Sequence, residues 1–149
     1  MLAFGAPVAG LTYLDRRAAF GVAENAVGQI ALAQVTKPGK PPYFDLPGGA
    51  VDGDETEAEA VVREFGEETG LVVEAGLLID TVSQLFLKSD GQPVRNFGGV
   101  YVVKVTGDKP ALKVEDDHAL VWLDPRDAVV ALRHDAHAWA VAAWMRRGS

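Results

Sequence analysis

The sequence predicts a layered α/β domain with a mixed β-sheet. Three observations lead there. Short apolar runs rich in Val, Ile, Leu and aromatic residues recur between turns rich in Gly and Pro. One strongly capped helix interrupts them near the middle of the chain. Further helical segments close the C-terminal end. At 149 residues, one domain over 1–149 is the expectation.

Residues 1–14 fit either an irregular arm or a short edge strand. Arg17–Ala23 and Gln29–Val35 read as the first two strands. Glu24–Gly28 reads as a hairpin loop between them. Residues 36–43 (TKPGKPPY) are too rich in Pro and Gly for helix or central strand and read as a surface loop. Lys37 and Lys40 there are candidates to meet an anion, although such lysines are commonly just solvated. Phe44–Leu46 reads as a short strand entering a Pro-Gly-Gly turn.

The chain is organised around Leu46–Leu71, LPGGAVDGDETEAEAVVREFGEETGL. Thr56 is the expected N-cap, and Glu59 three residues later completes a capping box. Gly70 is the expected helix end, since glycine accepts the left-handed conformation of a C-cap. On a 3.6-residue wheel, Ala58, Val61, Val62, Phe65 and Thr69 form an apolar stripe predicted to face the core. Glu64, Glu67 and Glu68 fall at i, i+3 and i+4, so their carboxylates converge, with Glu57 two turns earlier on the same face. Like charges at this spacing destabilise a helix slightly. A cation there would relieve the strain, and carboxylates are the oxygen ligands that Mg²⁺ and Mn²⁺ prefer. Asp52–Glu55 resembles a fragment of a calcium loop, but Glu57 stands where an EF-hand requires glycine.

After the helix, residues 71–75 and 77–87 read as strands, 89–92 as a turn and 95–105 as the returning strand of a long hairpin. Residues 107–110 read as another turn and 119–123 as a short buried strand. Asp124 followed by Pro125 is a helix start, N-cap then proline at N1. That helix should reach about Leu132. A last helix is expected over about 136–147, capped by Asp135. Trp139 and Trp144 on it read as packing residues or as part of a partner surface.

The fixed spacing of the central stretch carries more than any single residue. Gly49, five residues, Glu55, seven residues and then Arg63-Glu64-Phe65-Gly66-Glu67-Glu68-Thr69-Gly70-Leu71 resembles the Nudix box at every fixed position. Phe65 and Leu71 fill its two apolar slots. A lone ExxEE would be a weak signal, whereas this pattern is specific. The resemblance to the Nudix hydrolases, MutT-like members included, implies an α/β/α sandwich with a mixed β-sheet and a loop–helix–loop catalytic motif. It also implies hydrolysis of a nucleoside diphosphate linked to another group, dependent on Mg²⁺ or Mn²⁺. Substrates in view are a (d)NTP or related nucleotide, or alternatively ADP-ribose or a nucleotide sugar. A non-catalytic nucleotide sensor is a further alternative, but such domains usually lose box carboxylates, and all are present here.

Carried over residue by residue, the resemblance makes Glu64, Glu67 and Glu68 metal ligands, joined by a backbone carbonyl of Gly48 or Gly49. Gly49, Glu55, Arg63 and Gly70 become structural members of the motif. Arg63 is expected to bridge to Glu55 from the helix flank away from the carboxylates. The general base varies in the family. Glu115 is the choice here, within Glu115-Asp116-Asp117-His118. His118 has a suitable intrinsic pKa for the work. His134 and His137 read as surface or capping residues. Phe86, Phe97, Tyr101 and Trp122 are candidate stacking surfaces for a base and Asn96 a candidate hydrogen-bonding partner, against the plainer reading of most of them as core.

Composition sets the outer bounds. The chain is 48% hydrophobic and 23% charged, with net charge −7 from 14 basic and 21 acidic residues. No basic stripe of the kind that binds nucleic-acid polymers is visible. The absence of cysteine excludes disulfides and thiol chemistry. No run reaches the length of a membrane span. The N-terminus lacks the charged region of a signal peptide. A cytoplasmic enzyme acting on a small nucleotide is the expectation. Nudix members are often dimers, so a homodimer is a permitted state, but no interface is legible.

Overall fold

Alternation along the strands decides the layering, because each strand offers its two faces to different helices. The computed structural model describes residues 1–147. Its strands are β1 (Leu2–Phe4), β2 (Leu14–Ala23), β3 (Ile30–Val35), β4 (Tyr43–Asp45), β5 (Gly48–Ala50), β6 (Leu71–Leu87), β7 (Pro93–Asp108) and β8 (His118–Leu123). Its helices are α1 (Glu57–Thr69), α2 (Pro125–Ala131) and α3 (Asp135–Arg147), with a single 3₁₀ turn at Pro110–Leu112.

A five-stranded mixed sheet runs β1-β6-β7-β2-β5, and a three-stranded sheet runs β4-β3-β8. β2 lies parallel to β7 and antiparallel to β5. In that parallel pairing Arg16 stands beside Asn96. On one side, Val22, Ile30, Leu32, Ile79, Val82 and Val100 pack against Ala128, Ala136, Ala140 and Val141 of the C-terminal helices. On the other, Ala19, Ala23, Ala31, Val73 and Val103 receive Val61 and Phe65 of α1. Helices therefore cover both faces, as the α/β/α expectation requires. Trp139 and Trp144 are half-buried packing residues against the first of these cores.

Several expectations need correction. The 24–28 loop does not close an ordinary hairpin. An isolated bridge, Glu24 to Ile30, and hydrogen bonds between Asn25 and Gln29 join its ends, but β2 and β3 then part into different sheets. The segments 71–75 and 77–87 form one strand, broken in register between Ala75 and Leu78. β7 continues to Asp108, through residues expected to turn.

The N-terminal arm does form a short edge strand, parallel to β6. The buried face of α1 is Ala60, Val61, Phe65, Gly66, Glu68 and Thr69, whereas Ala58 and Val62 are exposed. Counting apolarity alone rotated the predicted stripe, because Glu68 in fact points inward. The helix caps match expectation. Thr56 and Glu59 exchange both capping-box hydrogen bonds, and Gly70 ends the helix with φ 78°.

Candidate active site

The acidic face of α1 is turned into a cleft of about 300 Å³, at the small end of the range for ligand sites. Glu64 and Glu68 lie on its floor beside the backbone of β5. Glu68 is buried, with 6% of its surface exposed. Its Oε1 accepts a hydrogen bond from the Gly48 N–H at 3.2 Å.

The glycines are required here by space. Gly48 has φ 148°, and a Cβ on it would lie 2.3 Å from the Ala19 carbonyl oxygen. A Cβ on Gly49 would lie 3.0 Å from the Glu64 carboxyl carbon. The turn therefore brings bare backbone against both carboxylates.

Burial pushes the Glu68 carboxyl well above its usual range, and the Glu64 charge adds to the shift. Burial also raises Glu64, against the opposing pull of Arg63. The two carboxyls interact across one helical turn, and a proton shared between them would relieve their repulsion. Facing carboxyls in a water-poor floor require either that shared proton or a cation. The donor set consists of hard oxygens and suits a divalent ion of the Mg²⁺ type.

Arg63 proves to be the hub of the box. Nε donates to Glu55 Oε2 at 2.8 Å and Nη2 to Glu55 Oε1 at 2.9 Å, a two-armed contact. Nη2 also reaches the Ala50 carbonyl at 3.0 Å. Nη1 donates to Glu64 Oε1 at 2.9 Å and Glu67 Oε2 at 3.0 Å. The expected Arg63–Glu55 bridge is therefore present, but Arg63 lies among the carboxylates, not away from them. Its guanidinium holds Glu55 down to about 2.

Glu67 sits in this network outside the cleft lining, and its carbonyl accepts from the N–H groups of Val114 and Glu115. Glu57 leaves the carboxylate face altogether. Its Oε1 accepts from the Gly99 N–H and the Tyr101 hydroxyl, both at 2.8 Å, and its Oε2 from Arg17 at 3.1 Å. Burial, then that bond to Glu57, pushes the Tyr101 hydroxyl up to about 12.

The second-half acidic cluster meets the floor through one member. His118 lines the cleft, with Nε2 3.6 Å from Glu68 Oε2 and Nδ1 2.7 Å from Asp117 Oδ1. Asp117 is bonded in turn to Lys37. That bond first, then His118, holds Asp117 down to about 2. Glu115, Asp117 and His118 bring their ligand atoms within 4.8 Å of one another, but Glu115 does not line the cleft. Lys40 is exposed.

The other walls carry Arg16, Phe20, Tyr43, Asp45, Phe86, Lys88, Asn96, Arg133 and His134 among others. Phe97 lines a smaller adjoining pocket, and Trp122 packs on the core beneath α1. His134 and His137 are buried, not superficial. His137 packs tilted against Phe20 with centroids 4.4 Å apart, and His134 meets Phe86 edge-on at 4.7 Å. Burial lowers both to about 3, so both rings are neutral near pH 7.

Sequence reading missed Arg16, Arg133 and both of these histidines. Their partners lie far away in the chain, and only the parallel register of β2 and β7 would have paired Arg16 with Asn96. The fold and this cleft define an α/β protein that presents one buried and one part-buried carboxylate from one helix to a cleft with cationic side chains in its walls.

Comparison with known proteins supplies the family. The profile of the NUDIX domain matches residues 14–145. The chain belongs to the Nudix family, and as such is a hydrolase acting on phosphorus-containing anhydrides. Among solved structures, it is similar to a NUDIX hydrolase from Nitrosomonas europaea, at TM-score 0.72 and 18% identity, with 89% of each chain covered. It is also similar to a MutT NUDIX hydrolase from Burkholderia pseudomallei, at TM-score 0.62 and 26% identity, with 86% of this chain and 96% of that one covered. A third likeness is to an ADP-ribose pyrophosphatase from Streptococcus suis, at TM-score 0.61 and 18% identity, covering 85% and 88%. No curated protein matches the sequence.

Proposed function

We propose that this chain hydrolyses a pyrophosphate bond in a nucleoside diphosphate linked to a further group, with a (d)NTP or related nucleotide as substrate and Mg²⁺ or Mn²⁺ as cofactor. The observation that carries the reading is the Glu64–Glu68 pair, Glu68 buried and Glu64 part-buried, on the floor of a cleft whose walls carry cations. An acidic floor would repel a polyphosphate unless a divalent ion lay between them. Positive charge on the opposite walls favours a ligand that is itself an anion.

Glu64 and Glu68 are the proposed principal metal ligands, joined by the backbone of Gly48, with Glu67 at the outer edge where it shares Arg63. A divalent ion bound there lowers the pKa of its water and neutralises phosphoryl charge. Arg63 holds Glu64 and Glu67 in position, and Glu55 holds Arg63. The Glu115–Asp117–His118 cluster is the proposed source of the general base. His118 is the member facing the floor. Asp117 fixes which of its nitrogens carries hydrogen, so that Nε2 faces Glu68. Phe20, Tyr43 and Phe86 offer apolar ring surface for a base.

A (d)NTP and ADP-ribose share the phosphoanhydride that the floor would act on, and they differ in the group carried beyond it. The likeness to a MutT protein favours the former, and the likeness to an ADP-ribose pyrophosphatase keeps that substrate as the alternative.

The test is release of phosphate, pyrophosphate or nucleoside monophosphate from (d)NTPs, oxidised dGTP, ADP-ribose, dinucleoside polyphosphates and UDP-sugars. Mg²⁺ and Mn²⁺ are each supplied, and Glu68→Gln is run in parallel. We expect turnover of one substrate class, reduced more than about 100-fold in a folded Glu68→Gln protein, a larger effect than loss of an outer-shell partner brings. Full activity in that variant would overturn the assignment of the floor. Turnover of ADP-ribose alone would replace the substrate.

A further inference from the structure

Four side chains bring positive charge into the cleft lining: Arg16, Lys37, Lys88 and Arg133. Three of them have carboxylate partners. Lys37 is bonded to Asp117. Arg133 grips Asp45 with two arms, 3.2 Å from Oδ1 and 2.8 Å from Oδ2, and lies 3.8 Å from the centre of the Tyr43 ring. Lys88 pairs loosely with Asp90 at 3.8 Å, and both are well exposed to water.

Arg16 differs. Among the described residues it makes no ion pair; its Nε donates to the neutral amide oxygen of Asn96 at 2.8 Å. Asn96 is itself buried, at 7% exposure, and stands beside Arg16 in the parallel register of β2 and β7. The guanidinium is half-buried, so its desolvation is not compensated by solvent alone. It also lies close enough to Glu64 to feel that charge across the cleft. Arg133 adds a second positive charge nearby. The guanidinium is hydrogen-bonded through Nε alone and lies 6.0 Å from the centre of the Phe86 ring; its two terminal nitrogens make no hydrogen bond among the described residues.

A guanidinium with two free arms matches the paired oxygens of a phosphoryl group. We propose that Arg16 is a substrate-binding residue that holds the phosphoryl group lying away from the Glu64–Glu68 floor, with Asn96 as the residue that positions it. The inference rests on the phosphoanhydride reading above and adds a requirement to it. The ligand must carry at least two phosphoryl groups, one for each pole of the cleft. Affinity for the distal group is then set by β2 and β7, not by the helix that carries the box.

The test measures binding, not turnover, so its failure is separate from failure of the catalytic reading. Methylenebisphosphonate, which cannot be hydrolysed, is titrated calorimetrically into the full chain at fixed free Mg²⁺. Wild type, Arg16→Gln, Arg16→Lys and Asn96→Ala are compared, with melting temperature as the check on folding. Arg16→Gln should weaken binding about tenfold or more, the loss expected for charge-assisted hydrogen bonds. Arg16→Lys should restore part of the affinity, because it returns the charge without the fork. Asn96→Ala should fall between wild type and Arg16→Gln.

A folded Arg16→Gln protein that binds the bisphosphonate as wild type does would overturn the proposal. So would a wild type that does not bind it at all. Should Arg16→Gln fail to fold, Arg16→Lys and Asn96→Ala decide: undiminished binding in both sinks the idea.

Discussion

Replacing Arg63 by methionine should damage both the fold and the chemistry, and the geometry says by how much. The side chain makes six hydrogen bonds, to Glu55 twice, to Ala50, to Glu64 and to Glu67 twice. Its side chain is 28% exposed and that of Glu55 16%. Breaking a fully buried charge network costs about 3–5 kcal/mol, and an exposed pair about 0–1 kcal/mol. At this partial exposure the expected loss is about 2–3 kcal/mol, between those limits.

The assay is urea denaturation of wild type, Arg63→Met, Glu55→Gln and the double variant. A coupling energy of about 1–2 kcal/mol between the two positions is expected, since they share the two-armed contact. Arg63→Lys should recover little, because one ammonium cannot replace a fork that serves three carboxylates. Hydrolysis should fall about 10–100-fold in Arg63→Met, the scale on which residues that orient metal ligands act. A variant that loses less than about 0.5 kcal/mol, the range of ordinary surface changes, and shows no coupling would refute the reasoning. Arg63 would then be a solvated side chain whose contacts carry no energy.

Two further outcomes follow from the same box and from the loop opposite. Gly66→Ala should be tolerated or should raise the melting temperature by about 2 °C, because alanine favours the helix by up to about 1 kcal/mol. The new methyl would meet Leu112 Cδ1 at 3.3 Å, the far end of a flexible side chain, and a marked fall in melting temperature would show that Leu112 cannot yield. Acid unfolding should reveal Glu55 and Asp117, each held down to about 2 by its cation. Their stabilising contributions are complete above the ordinary carboxylate range and are lost as pH falls from about 4.5 toward 2. Glu55→Gln and Asp117→Asn should therefore flatten the stability profile in that window, and unchanged profiles would contradict both assignments.

The box helix was legible because its signals are local: a capping box, a terminal glycine and carboxylates at fixed spacing. The direction of its inner face was misread, because a buried glutamate looks like a surface residue until the cleft is seen. The convergence of Glu64 and Glu68 was therefore legible, but the burial of Glu68 was not. Turn residues at 24–28 were legible, yet not the parting of β2 and β3 into two sheets, since alternation reads the same in either. The remaining cleft walls depend on partners distant in sequence. Arg16 with Asn96, Lys37 with Asp117 and Leu46 with His137 are separated by 80, 80 and 91 positions. No periodicity in one segment announces such a meeting. His134 and His137 follow the same rule: the helix start was predicted, but not that Phe20 and Phe86 would enclose its first turn.

The anchoring of Glu57 has a consequence for how such a molecule can change. Glu57 ties the first turn of α1 to the β7 backbone, and Gly70 hands its last turn directly to β6. The helix is thus clamped at both ends to one sheet, and the reacting floor moves with that frame. Arg16, Phe86 and Asn96 lie on strands of that sheet, and Tyr43 and Arg133 on other segments, so none of these wall residues belongs to α1. Exchanges among them can reshape what the cleft accepts while Glu64 and Glu68 keep their places. On the proposed reading, reactivity and selectivity are carried by separate parts of the chain, so a new preference can be acquired without rebuilding the catalyst.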